Sequence, residues 1–130
     1  MNRDEVIAKW NSMQPRERDA WVAEKVMGLE LSDNMLAAYP KYRLPDYPDY
    51  FRDVPNYSTD IGAAWEVSQK YPIMKLTRTK IFEISLAEYI CTFWNDADSG
   101  PIEVPATTAQ EAVCLAALIA VLTQGEGIEE

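Results

Sequence analysis

Apolar residues in this chain recur at two spacings, and the change between them separates helical from strand segments. Val6, Ile7 and Trp10 share one side of a helix over 4–10. Pro15 suits a first helical turn, where its missing N–H costs nothing. The pattern from there runs to Gly28, a natural left-handed stop. Val22, Ala23, Val26 and Met27 make the inner stripe of this second helix, with Trp21 at its edge and only partly inside. A third helix is predicted over 59–71. Ser58, Thr59 and Asp60 offer oxygens to its first free amides. Ile61, Ala64, Trp65 and Ser68 fall on one side, which makes Trp65 a core residue and turns Glu66 outward.

After Pro72 the spacing shortens. Ile73, Met74 and Leu76 start a first strand, and Phe82, Ile84 and Leu86 alternate with Ile81, Glu83 and Ser85. Residues 89–94 are nearly continuous in β-favouring types, and 95–100 read as a polar turn. Ile102 and Val104 add a short edge strand that Pro105 is expected to terminate. Thr108 and Glu111 match a reciprocal capping pattern, in which each side chain satisfies the other's free backbone amide. The helix that follows, 109–122, is apolar on nearly all sides. It must be covered on more than one side, by the sheet plus another helix or by a second subunit, so a homodimer is also expected. Consecutive strands favour antiparallel pairing, and the helices around them indicate an α+β fold.

Between the second and third helices lies a segment of another kind. Residues 29–57 hold four of the eight prolines and five of the seven tyrosines, including the duplication Pro-Asp-Tyr-Pro-Asp-Tyr over 45–50. Proline this dense argues against a central strand or a long helix, so a Pro/Tyr-rich loop is expected at about 39–57, with a short helical turn over 32–38 before it. A structureless loop of that length is unusual in a compact domain and is often functional. Tyr42, Tyr47, Tyr50, Phe51 and Tyr57 combine flat apolar faces with hydroxyls, and Arg43 and Arg52 lie among them. These seven residues are the candidate binding site. Three readings stay open: rings that pin the loop to the sheet, a protein interface, or a pocket for a nucleotide or other small ligand.

Length and charge narrow the classes. A chain of 130 residues with 48% hydrophobic content is one domain, 1–130, ending in a frayed acidic tail at 125–130. The net charge of −9 has the wrong sign for binding nucleic acid by phosphate neutralisation. The N-terminus lacks the pattern of a signal peptide and the longest apolar run is too short to span a bilayer, so a cytoplasmic location without membrane contact is expected. Cys91 and Cys114 sit in apolar runs and read as reduced core thiols. With no histidine, triads that use a histidine base are excluded within one chain. The five glycines are too scattered for a phosphate loop. Asp46, Asp49 and Asp53, and separately Asp96 and Asp98, cluster without the spacing of a calcium loop and read as solvated acids. No catalytic residue, cofactor or metal is assigned.

Three places carry a resemblance. They are Val-Ala-Glu-Lys-Val-Met-Gly over 22–28, Tyr-Ser-Thr-Asp-Ile with Ala-Ala-Trp-Glu-Val over 57–67, and the capped alanine- and leucine-rich helix over 108–122. Together they resemble the phage ABA-sandwich family of small phage and prophage proteins, the middle stretch most specifically. The resemblance implies an α-β-α sandwich with a small, mostly antiparallel sheet flanked by helices. It carries over no catalytic residues, and the Pro/Tyr insert is longer and more aromatic than the family leads one to expect. The functional expectation is a non-enzymatic phage or prophage accessory protein that binds a host or phage protein. The alternative is a small-ligand binder, such as one that sequesters a signalling nucleotide with Tyr42, Arg43, Tyr50 and Arg52. A carboxylate- and metal-dependent hydrolase is the weakest reading.

Overall fold

A computed structural model of the chain describes residues 1–31, 40–71, 73–78, 89–94 and 101–123. The expected helical turn over 32–38, the alternating strand over 81–86, the polar turn over 95–100 and the tail at 125–130 lie outside the described residues.

The element order is α1 (Arg3–Ser12), α2 (Pro15–Lys25), β1 (Glu30–Leu31), β2 (Lys41–Leu44), β3 (Tyr47–Asp53), α3 (Ile61–Ser68), β4 (Ile73–Arg78), β5 (Tyr89–Trp94), β6 (Ile102–Ala106) and α4 (Ala109–Leu122). The fold is α+β, a sandwich of helices and small antiparallel sheets. Among the described residues there are two sheets, with strand orders β1-β2-β3 and β4-β5-β6, where a single sheet was expected. The first comes from the segment read as a loop. Its prolines are compatible with pairing because of where they sit. Pro40 precedes β2, Pro45 is in the turn, and Pro48 lies in β3, which is an edge strand among the described residues, with one side of its backbone unpaired there. Likewise Pro105 does not end β6, which runs on to Ala106 as the other sheet's edge.

α4 is the centre of the molecule. It packs on β5 and β6 on one side and on α1, α2 and α3 elsewhere, and residues 112–120 are all buried. Its all-round apolarity is therefore satisfied within the chain, by the sheet plus other helices, and needs no second subunit. Each fully buried Val, Leu or Ile here contributes about 1.5–3 kcal/mol of transfer free energy. Cys91, Phe93 and Val104 supply the sheet's side of this contact. At the N-terminal end of α4 the Thr108 hydroxyl accepts from the Glu111 amide at 3.2 Å. The Glu111 carboxylate turns to the Thr107 hydroxyl at 3.3 Å and to Arg18 at 3.7 Å instead of completing the expected reciprocal pair.

Three helical readings are corrected. α2 stops at Lys25, although Gly28 takes the predicted left-handed conformation (φ 70°) and the Leu29 amide donates back across the turn to the Ala23 carbonyl at 2.9 Å. Trp21 is buried, with the Lys9 ammonium 4.8 Å from its ring centre. The third correction is larger. Ala64, Val67 and Ser68 face inward on α3, while Ile61 and Trp65 are 50% and 54% exposed. The ring of Tyr71, just beyond α3, lies on the inward side in place of the indole. It stacks on Phe93 at 4.3 Å, and its hydroxyl donates to the Ala117 carbonyl at 3.0 Å. Asp60 caps α3 through the Gly62 amide, at 2.9 Å, and Glu66 points outward as expected.

Candidate functional site

The Pro/Tyr segment folds as a hairpin. β2 and β3 pair through Lys41–Asp53, Tyr42–Arg52 and Arg43–Phe51, and the ladder then jumps to Leu44–Tyr47. Residues 48–50 are thus excess in β3, a bulge beside the two-residue turn of Pro45 and Asp46. The jump has a consequence for the rings. Tyr47 and Tyr50 are three positions apart and would face opposite sides of a regular strand. The bulge changes that parity, and their rings meet edge to face at 6.1 Å. Both rings are open to solvent, at 61% and 64% exposure.

The two faces of the hairpin differ. Tyr42 and its β1 neighbour Leu31 pack against the core. Arg43 lies on the other face with its cross-strand neighbours Glu30 and Phe51. Its guanidinium sits 5.5 Å from the Phe51 ring centre and 3.9 Å from the Glu30 carboxylate, while its Nε is buried with no hydrogen-bond partner among the described residues. Lys41 and Asp53 approach to 3.9 Å at the base of the hairpin, where the Val54 amide donates to the Pro40 carbonyl at 3.0 Å.

A buried carboxylate fixes the hairpin's root. Asp19 of α2 is fully buried. Its Oδ1 accepts from the Ser58 amide at 2.7 Å and from the Ser58 hydroxyl at 2.6 Å. Its Oδ2 accepts from Arg16 at 2.8 Å. Arg16 also donates to the Val54 carbonyl and the Asn56 side-chain oxygen, each at 2.7 Å. The chain leaving β3 is thereby clamped to α2 by charge-assisted bonds at both ends of one carboxylate. Ser58 is consequently engaged with Asp19 rather than with the start of α3. Next to it, Tyr57 is 2% exposed, and its backbone carbonyl accepts from the Cys114 thiol at 3.2 Å. Burial, followed by the negative charge of Glu66, pushes the Tyr57 hydroxyl up to about 12.

The seven candidate residues therefore separate. Tyr47, Tyr50 and Phe51 are exposed on β3, and Arg52 is exposed across from Tyr42. Tyr42 is partly buried against the core, and Tyr57 is inside it and unavailable to a partner. Arg43 and Arg52 occupy opposite faces of the hairpin, so Tyr42, Arg43 and Arg52 do not line one cavity. Asp19 and Arg16 were missed by sequence reasoning. Their signal was present, since Asp19 falls at helical spacing on the inner stripe with Val22, Ala23 and Val26, with Arg16 one turn before it. Among the described residues no group of three or more Cys, Asp or Glu is placed to hold a metal ion, and no helix is long and apolar enough to cross a membrane.

Comparison with known proteins follows the same architecture. The chain resembles a phage protein from Bacillus cereus ATCC 14579, known from a 2.0 Å crystal structure, with 28% identity and a TM-score of 0.66. The match covers 84% of this chain and 93% of that one. No curated protein matches. The model of the phage ABA sandwich domain matches residues 20–118, from within α2 to within α4. With well over half of its length matched by that model, the chain belongs to the phage ABA sandwich family.

Proposed function

We infer that this protein is a non-enzymatic phage or prophage accessory protein that works by binding a host or phage protein through the tip of the β2–β3 hairpin. One observation carries the reading: Tyr47, Tyr50 and Phe51 (40% exposed) are held out to solvent on a hairpin whose root is clamped to the core. Clustered exposed aromatic rings mark interaction surfaces, and aromatic side chains dominate the energetics of protein interfaces. Membership in a phage family supports the setting, and the absence of histidine supports a role outside histidine-based catalysis. The cytoplasm of the cell that makes the protein is the compartment we assign.

The test replaces Tyr50 with a photo-crosslinking phenylalanine analogue in cells that produce the protein, with the same analogue at Glu24 on α2 as a reference. A discrete cross-linked species at Tyr50, lost when Tyr47 is also changed to Ala, is expected. The same bands from both positions, or none from Tyr50, refute the hairpin as an interface.

A further inference from the structure

The reading of the hairpin as an interface leaves its partner's chemistry open, and the tip itself supplies that chemistry. Residues 45–50 alternate proline, aspartate and tyrosine twice over and contain no cation. Of the hairpin's other charges, Lys41 pairs with Asp53 and Arg43 with Glu30 and the Phe51 ring, while Arg52 is exposed lower on β3, across from Tyr42 and outside the 45–50 tip. Among the described residues Asp46 and Asp49 make no ion pair. The tip therefore presents two electron-rich ring systems, edge to face at 6.1 Å, with two uncompensated carboxylates interleaved among them in sequence. Rings alone would suit any apolar surface. Carboxylates beside rings suit a cation, which gains from both the ring quadrupole and the negative charge.

We propose that the tip reads a basic protein segment, with lysine or arginine side chains at alternate positions of an extended chain. This rests on the hairpin being the interface. Alternate side chains on one face of an extended peptide are about 6.7 Å apart, close to the separation of the two rings. Pro45 and Pro48 restrict the backbone and a tyrosine ring has few rotamers to lose, so the tip is ordered before it binds. The chain's net charge of −9 steers a basic partner toward it and disfavours a second copy of the same chain.

A random peptide library displayed on yeast is selected against the intact protein and sorted for clones that lose binding to Y47A/Y50A. Enrichment of lysine or arginine at alternate positions in those clones is expected. D46N/D49N is expected to weaken the best clone at least ~10-fold and to flatten its salt dependence. E24Q/E66Q, which removes the same charge from exposed helical positions, is expected to leave it within about 2-fold. Tip-dependent clones without basic enrichment overturn the proposal while leaving the hairpin as an interface. Clones that bind Y47A/Y50A equally well refute both. Equal weakening by the two charge-removing variants also overturns the proposal, since it shows only attraction to an acidic surface.

Discussion

Replacing Asp19 with alanine removes the one carboxylate to which α2, Arg16 and the chain after β3 are all tied. Three donors lose this acceptor: Arg16 at 2.8 Å, the Ser58 amide at 2.7 Å and the Ser58 hydroxyl at 2.6 Å, the hydroxyl keeping the Pro15 carbonyl at 3.2 Å. Hydrogen bonds to a charged group are worth about 1.5–3 kcal/mol each, but three on one carboxylate do not add independently. Removing one member of a buried ion pair costs about 3–5 kcal/mol. The lower part of that range applies here, because Arg16 keeps 26% of its side chain exposed and retains Val54 and Asn56 as acceptors. The buried Ser58 amide has no such recourse. We expect a loss of about 3–4 kcal/mol, which for a chain of this length lowers Tm by roughly 12–16 °C. Urea unfolding followed by tryptophan fluorescence measures it. Hydrogen exchange should quicken at residues 54–58 before the rest of the core, since the clamp acts there first. A loss under about 1 kcal/mol refutes the argument. So does strict additivity of Asp19→Ala with Ser58→Ala, because residues sharing a bond must couple.

Other outcomes follow from burial. Burial holds Cys91 at about 12 against an ordinary 9.0, and Tyr71 at about 12 against 10.0, and it raises Tyr57 and Cys114 as well. All four groups hold their protons more tightly when folded, so stability is fully present below pH ~9 and falls as pH rises across about 9–12; an unchanged Tm to the top of that window contradicts it. For the same reason neither Cys91 nor Cys114 should react with a thiol reagent at pH 8 until denaturant is added, and rapid native labelling counts against both as core thiols. Trp65→Ala is expected to cost under about 1 kcal/mol and Trp10→Ala about 3–5 kcal/mol, because only the second indole is enclosed; equal losses in urea titrations contradict the placement of α3.

The hairpin shows why proline counts mislead when position is ignored. Proline removes one donor, and that matters only where a neighbouring strand needs it. Here Pro40 and Pro45 lie just outside strands, and Pro48 falls in the bulge of an edge strand. Charge and aromatic content were legible, and the exposed rings Tyr47, Tyr50 and Phe51 were among the candidates named from the sequence. The pairing was not, because the register jump between Arg43 and Leu44 hides the alternation that identifies a strand. The central helix was legible for the opposite reason. A run apolar on every side admits few arrangements, and its cover of β5, β6 and three helices is one of the two foreseen.

α3 marks a different limit. Two stripes run along it at the same helical period, 61-64-65-68 and 64-67-68-71, and they share Ala64 and Ser68. Bulk favours the first, since it holds Ile61 and Trp65. Packing selects the second, because α4 meets this helix through a run rich in alanine and there is no room for an indole between two closely approaching helices. Small Ala64 and Val67 fit that contact, and the large ring needed to fill the end of the gap comes from Tyr71, beyond the helix, where it reaches both Phe93 and the Ala117 carbonyl. Trp65 is thereby left outside as a by-product of close helix packing, a cause distinct from the one that exposes Tyr47 and Tyr50. Those two are exposed by a bulge that brings them together over a clamped root, which is why the hairpin, and not the larger indole, is the surface to which we assign recognition.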